Sequence, residues 1–141
     1  MNDTENWIAG AEVARIRSAP ISRTTLALYA GASGDHNPIH IDLDAARRAG
    51  MDDVIGHGML AMAQLARAAT TAAPQHELKT IKTRFAAPIV IGDELTCVAT
   101  VSELYQAGQM PMARLGLTAS NQAGQVKLIG EALVARPEKQ R

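Results

Sequence analysis

Two features of the sequence predict an α+β fold in which an antiparallel sheet wraps around a long central helix. Between Gly58 and Ala73 the chain carries Met59, Leu60, Met62, Leu65 and a series of alanines, interrupted mainly by Gln64 and Arg67, and Pro74 ends the segment. A helix that is apolar on most of its sides is a buried one, and at 1.5 Å per residue this one spans ~24 Å. Beyond Pro74 the apolar period changes from helical to alternating, with short turns between successive runs, which is the pattern of antiparallel strands. One buried helix and one such sheet make a two-layer unit.

Ahead of that helix, residues 1–6 are expected to fray. Trp7 to Arg17, with Val13 and Ile16, supplies a weakly alternating first strand. Ser22 suits the N-cap of a helix through Leu26, Leu28 and Tyr29, because its hydroxyl can accept an unpaired backbone N–H. Asp42 is a second N-cap, for a short helix over Ala45–Ala49 with Gly50 as its C′ residue, and Asp52–Gly56 is a connection. Leu78–Ile91 reads as a strand interrupted at Pro88. Leu95, Cys97, Ala99 and Val101 alternate with Thr96, Thr100 and Ser102, and Leu115, Leu117 and Ala119 alternate with Arg114, Thr118 and Ser120. Asn121–Gly124 is a turn, and Val126–Val134 a last strand.

At 141 residues, without internal repeat or low-complexity segment, residues 1–141 are expected to form a single domain. With 47% apolar and 20% charged residues the composition is that of an ordinary globular protein. The formal net charge is zero and no basic stripe is visible, which argues against nucleic-acid binding. No apolar run approaches the ~20 residues that span a bilayer, so no membrane association is expected. The acidic, polar start Met1-Asn2-Asp3-Thr4-Glu5 does not read as a signal peptide. The lone Cys97 excludes an intrachain disulfide and suggests a reducing, cytoplasmic compartment. Only four aromatic residues occur, so Leu, Ile, Val, Met and Ala must build the core.

The chemistry concentrates in Tyr29 to His40, Tyr-Ala-Gly-Ala-Ser-Gly-Asp-His-Asn-Pro-Ile-His. Gly34 permits a sharp turn, and Pro38 lacks an N–H and pushes Asn37 toward extended geometry. A helix therefore stops here, and an irregular loop presents Asp35 and His40. A carboxylate and an imidazole that converge on one water form a general acid/base device. The competing reading is a turn-bracing aspartate and an ordinary loop histidine. Asn37 fits a structural role before Pro38, with contact to the water as the alternative. Ser33 is a turn hydroxyl, because Gly31-Ala32-Ser33-Gly34-Asp35 lacks the Gly-x-Ser-x-Gly pattern and its strand–elbow–helix setting. His36 and His40 are four apart, but Pro38 breaks the helical geometry through which they would share a metal, so no metal is expected. Gly58 opens the long helix, where unpaired N–H groups and the positive dipole end can stabilise a developing oxyanion. Cys97 is a core thiol in a strand.

Three blocks in this order resemble the MaoC-like, R-specific enoyl-thioester hydratases and dehydratases. The first runs from Tyr29 through Gly34-Asp35-His36-Asn37-Pro38-Ile39-His40 to Ala46. The second is His57-Gly58-Met59-Leu60, and the third is Phe85 and Pro88 followed by Gly92-Asp93. The resemblance covers about Leu26 to Leu95 and implies a hot-dog fold. It implies reversible addition of water across a trans-2-enoyl thioester of coenzyme A or a carrier protein, with Asp35 and His40 holding the water and no metal or redox cofactor. It gives Gly58 the oxyanion role. Beside it, Asn37 and His57 are further substrate-site candidates, with packing or hydrogen bonding an equal alternative for His57. Some members of the family carry a serine eight positions after the glycine, where this chain has Ala66. A curled sheet leaves a helix face and an edge strand needing cover, which favours a homodimer, or a heterodimer, with the acyl pocket near the interface. Two other readings are a hot-dog acyl thioesterase, which would release free thiol, and a non-catalytic acyl-binding partner subunit, which would need a second chain for turnover.

Overall fold

The computed structural model describes Thr4 and residues 7–136. Apart from Thr4, the segment expected to fray lies outside the described residues. The elements run β1 (Glu12–Arg17), α1 (Arg23–Ser33), α2 (Leu43–Arg48), α3 (Gly58–Ala72), β2 (Leu78–Phe85), β3 (Thr96–Ala107), β4 (Met110–Ser120) and β5 (Val126–Ala135). The strands form one antiparallel sheet in the order β1-β3-β4-β5-β2. Helix α3 packs against all five strands, which is the hot-dog arrangement.

Small residues let the helix lie close to the sheet. Ala61, Leu65, Ala68, Ala69 and Ala72 form its buried stripe. They meet a sheet face on which large and small side chains sit opposite one another, Ala99 beside Leu117, Leu115 beside Ala132 and Ala119 beside Leu128. This interdigitation fills the core mostly with aliphatic side chains, and Trp7 is the aromatic residue that joins it. Burial lifts the Cys97 thiol within it to about 11. The helix is not buried on most sides, as the sequence suggested: Met59, Ala63 and Arg67 are exposed. Alanines on the outer face made the segment look more enclosed than it is.

The expected caps are in place. The Ser22 hydroxyl accepts the Thr25 N–H at 3.0 Å, and Asp42 Oδ1 accepts from Asp44 and Ala45. Strand β1 begins at Glu12, later than expected; Trp7 is buried outside it. Strand β2 ends at Phe85, earlier than expected, because the Ala86 and Ala87 N–H groups both turn to the carbonyl of Lys127. Strand β3 continues past Ser102 to Ala107 through a register shift between Val101 and Glu103, which is why its alternation fails there. Among the described residues no helix is long and apolar enough to cross a membrane.

Candidate active site

The loop that carries Asp35 and His40 is built by side chains bonding to nearby backbone. Helix α1 ends at Gly34, whose φ of 77° is a left-handed conformation that glycine adopts without strain. The Ser33 hydroxyl then accepts the Asp35 N–H, Asp35 Oδ1 accepts the Asn37 N–H, and Asn37 Oδ1 accepts the Ile39 N–H, each at 3.2 Å. Three successive turns of this kind replace the helix ladder. Pro38–His40 closes the loop as one 3₁₀ turn. The Asn37 side-chain oxygen thus serves loop geometry, and Ser33 is the turn hydroxyl the sequence suggested.

The loop sets the roles of both histidine nitrogens. The Ile55 N–H donates to the Ile39 carbonyl at 3.2 Å, and the Ile55 carbonyl accepts from His40 Nδ1 at 2.7 Å. A carbonyl can only accept, so Nδ1 carries the hydrogen and, in the neutral ring, the lone pair is on Nε2. That atom lies 3.8 Å from Asp35 Oδ2. The separation is too long for a direct hydrogen bond. His40 is buried, whereas the Asp35 side chain is 51% exposed, so the pair has one protected and one open member.

His57 lies behind this pair. It has no exposed surface, its Nε2–H donates to the Asp35 carbonyl at 3.2 Å, and its ring stacks on His40 with centroids 3.9 Å apart and planes at 28°. Tyr29 meets its edge at 4.8 Å. Its Nδ1 is buried without a hydrogen-bond partner. The placement joins His57 to the scaffold of Asp35 and His40. The sequence placed His57 next to Gly58 but carried no signal of the stack. Donor atoms of Asp35, His40 and His57 lie within 4.8 Å of one another, the group with metal-ligand chemistry among the described residues. Each ring gives one nitrogen to a carbonyl, His40 through Nδ1 and His57 through Nε2.

Gly58 begins α3 beside a cavity of about 320 Å³ that is also lined by His40, Ile55, Gly56 and the segment from Phe85 to Ile89. A Cβ at Gly58 would meet Phe85 Cε1 at 3.0 Å, so the absence of a side chain lets that ring close over the helix start. His57, at the cap position, makes no side-chain bond to the first turn, which leaves backbone N–H donors facing the cavity end of the helix. Ala66 is half-buried on α3, two turns on. Met59 and Met110 are exposed, Met62 is half-buried and Met112 is in the core.

A hot-dog sheet with a carboxylate–imidazole pair at the start of its central helix defines a class, and comparison with known proteins narrows it. The model of the MaoC like domain matches residues 5–122, and the chain belongs to that family. It is 33% identical over 119 residues to the (R)-specific enoyl-CoA hydratase of Rhodospirillum rubrum, covering 83% of this chain and 81% of the relative. It is 36% identical over 67 residues to the mitochondrial 3-hydroxyacyl-[acyl-carrier-protein] dehydratase of Arabidopsis thaliana, covering 48% of this chain but only 40% of that protein. Among solved structures, the unliganded R-hydratase PhaJ1 from Pseudomonas aeruginosa superposes with a TM-score of 0.81 at 31% identity, covering 96% of this chain and 85% of the other.

Proposed function

We propose that the protein is a hydro-lyase that hydrates trans-2-enoyl thioesters to (R)-3-hydroxyacyl thioesters, and catalyses the reverse dehydration, with Asp35 and His40 as its catalytic pair. The observation that carries this reading is the 2.7 Å bond from His40 Nδ1 to the Ile55 carbonyl, which turns the basic Nε2 toward Asp35 Oδ2 at the edge of an apolar cavity. Both facing atoms are acceptors, and a water has two hydrogens to give. A water donating one to each bridges the 3.8 Å separation and keeps an oxygen lone pair for Cβ.

In the forward step the water oxygen bonds to Cβ as one O–H proton passes to His40 Nε2. The C=C electron pair moves toward the thioester carbonyl, whose oxygen becomes enolate-like. The Gly58 N–H at the start of α3 stabilises that charge. The proton is then delivered to Cα, so the elements of one water are added and nothing is oxidised or reduced. Asp35 orients the water through its second hydrogen. Asn37 holds the loop that presents both groups, and His57 supports them from behind. The acyl chain lies in the cavity between Gly58 and Phe85–Ile89, and the thioester carrier is coenzyme A or a carrier protein. The whole chain acts as one hot-dog unit, with a second subunit, identical or related, over the exposed Met59 and Phe85. Cys97, the lone cysteine and a buried free thiol, supports a cytoplasmic location.

The test is loss of enoyl absorbance with crotonyl-CoA and a longer trans-2-enoyl-CoA. Wild type hydrates at least one of them to the R product, and Asp35→Asn and His40→Gln each lose 10²-fold or more in kcat. Release of free thiol instead would establish a thioesterase. Unchanged activity in both variants would contradict the assignment.

A further inference from the structure

Lys127 is 3% exposed, and its ammonium group is enclosed with Asp93, which is also 3% exposed. Lys127 Nζ lies 3.0 Å from Asp93 Oδ2 and donates to the Pro88 carbonyl at 2.7 Å. The remaining acceptor capacity of Asp93 is filled by the Val90 N–H at 2.9 Å and by Asn121 Nδ2 at 3.0 Å. Burial raises the Asp93 pKa, but those hydrogen bonds and the lysine outweigh it and hold the carboxyl below its ordinary value. A buried ion pair of this kind can often be replaced by apolar side chains without loss of stability, so stability alone does not account for it.

What the pair touches suggests its use. The Lys127 ammonium holds the Pro88 carbonyl, and the Lys127 main-chain carbonyl accepts from Ala86 at 2.8 Å and Ala87 at 3.2 Å. The side chain thus secures Pro88, next to the two positions that the main chain of the same residue holds. Phe85 to Ile89 form one wall of the cavity that begins at His40 and Gly58. Pro88 also lines a second cavity, of about 390 Å³, on the side of Met51 to Ile55. The far end of the segment has a separate anchor, the Gly56 N–H to the Ile89 carbonyl at 2.6 Å.

We infer that Lys127 and Asp93 are positioning residues that fix the Ala86–Pro88 wall of the acyl cavity and so determine how tightly acyl chains long enough to reach it are held. The inference rests on the enoyl-thioester reading for its substrate, though not for its geometry. A short acyl group, held next to His40 and Gly58, does not depend on this wall. A longer one does, and an unfixed wall must be ordered when the chain binds, which weakens binding without changing the reacting atoms.

The test compares wild type with Lys127→Arg, which keeps the charge and the donors, and with the double variant Lys127→Met/Asp93→Asn, which leaves no ion unpaired and so guards against simple misfolding. Kinetics use crotonyl-CoA and trans-2-octenoyl-CoA, and amide hydrogen exchange follows Ala86, Ala87 and Val90 against the β3–β4 ladder. In the double variant KM for the octenoyl substrate rises about tenfold while its kcat, and both constants for crotonyl-CoA, stay within about twofold. Exchange at Ala86, Ala87 and Val90 quickens about tenfold while the β3–β4 amides do not change, and Lys127→Arg stays near wild type in both readouts. Parallel changes for the two substrates, or unchanged exchange at Ala86, Ala87 and Val90 in the folded double variant, would overturn the inference. If wild type hydrates neither substrate, the functional reading fails, and the exchange measurement still decides whether the pair fixes the wall.

Discussion

The two ends of α3 are made from similar residues and serve opposite ends. Between Leu65 and Ala72 one face of the helix is core: Leu65, Ala68, Ala69 and Ala72 are buried against the sheet. At Gly58, half-buried, and Met59 it is more open. Met59 is 56% exposed, the first turn has no side-chain cap, and Gly58 leaves room for the Phe85 ring. A helix normally has its first N–H groups capped. Here capping is forgone at the end that faces the cavity, and the packed end supplies the stability that an open end requires. The comparison teaches that damage to the two ends should be separable, stability at one and activity at the other.

The largest effect expected is at the packed end. Leu65→Ala removes a fully buried side chain and should lower unfolding free energy by about 2–5 kcal/mol. Urea unfolding would measure this, while kcat/KM per folded molecule stays within about twofold. A matching loss of activity in protein that remains folded would break the division between the two ends. Gly58→Ala is the complementary change. Its Cβ would lie 3.0 Å from Phe85 Cε1, so the ring, which lines the cavity, must shift. We expect about a tenfold loss in kcat/KM, mostly through KM, with stability changed by about 1 kcal/mol or less. A loss of stability as large as that of Leu65→Ala would show that the open end is core after all.

Smaller effects sharpen the picture elsewhere. Ser22→Ala should cost about 1 kcal/mol, because it removes the hydroxyl that caps α1, read as a shift in thermal midpoint. The pH dependence of stability should carry a signature of Asp93. Its carboxyl is held low in the folded state, so the unfolded chain takes up its proton first as pH falls. That contribution to stability is present above the ordinary aspartate range and is lost as pH falls through the depressed folded value. Urea midpoints between pH 5 and pH 2.5 should therefore fall more steeply for wild type than for the Lys127→Met/Asp93→Asn variant. Cys97, with its thiol raised to about 11 by burial, should resist alkylation at pH 8 until the protein unfolds.

Local signals in the sequence account for much of this architecture. Ser22, Gly34, Asp42 and Gly50 mark helix ends through hydrogen bonds or backbone conformations set within a few residues. The Asp35–His40 loop is equally local, since its turns join residues two apart. What could not be read depends on distant partners. The His40–His57 stack and the His40–Ile55 bond need the loop to fold back on the entry to α3. The early end of β2 depends on the Lys127 carbonyl, about forty residues later in the chain. Lys127 itself sits in a strand pattern where a charge signals a solvent-facing position, and nothing nearby in sequence reveals that Asp93 and Pro88 enclose it.

The central claim is that Asp35 and His40 work as one device on one water. A double-mutant cycle tests it most directly, with kcat for enoyl-CoA hydration measured for Asp35→Asn, His40→Gln and the combined variant. Groups that share one water cannot each lose it separately. The account predicts that the double variant is about as impaired as the worse single one, within roughly threefold. Losses that multiply, so that the double variant falls by the product of the two single effects, would mean that the two residues act independently and would contradict it.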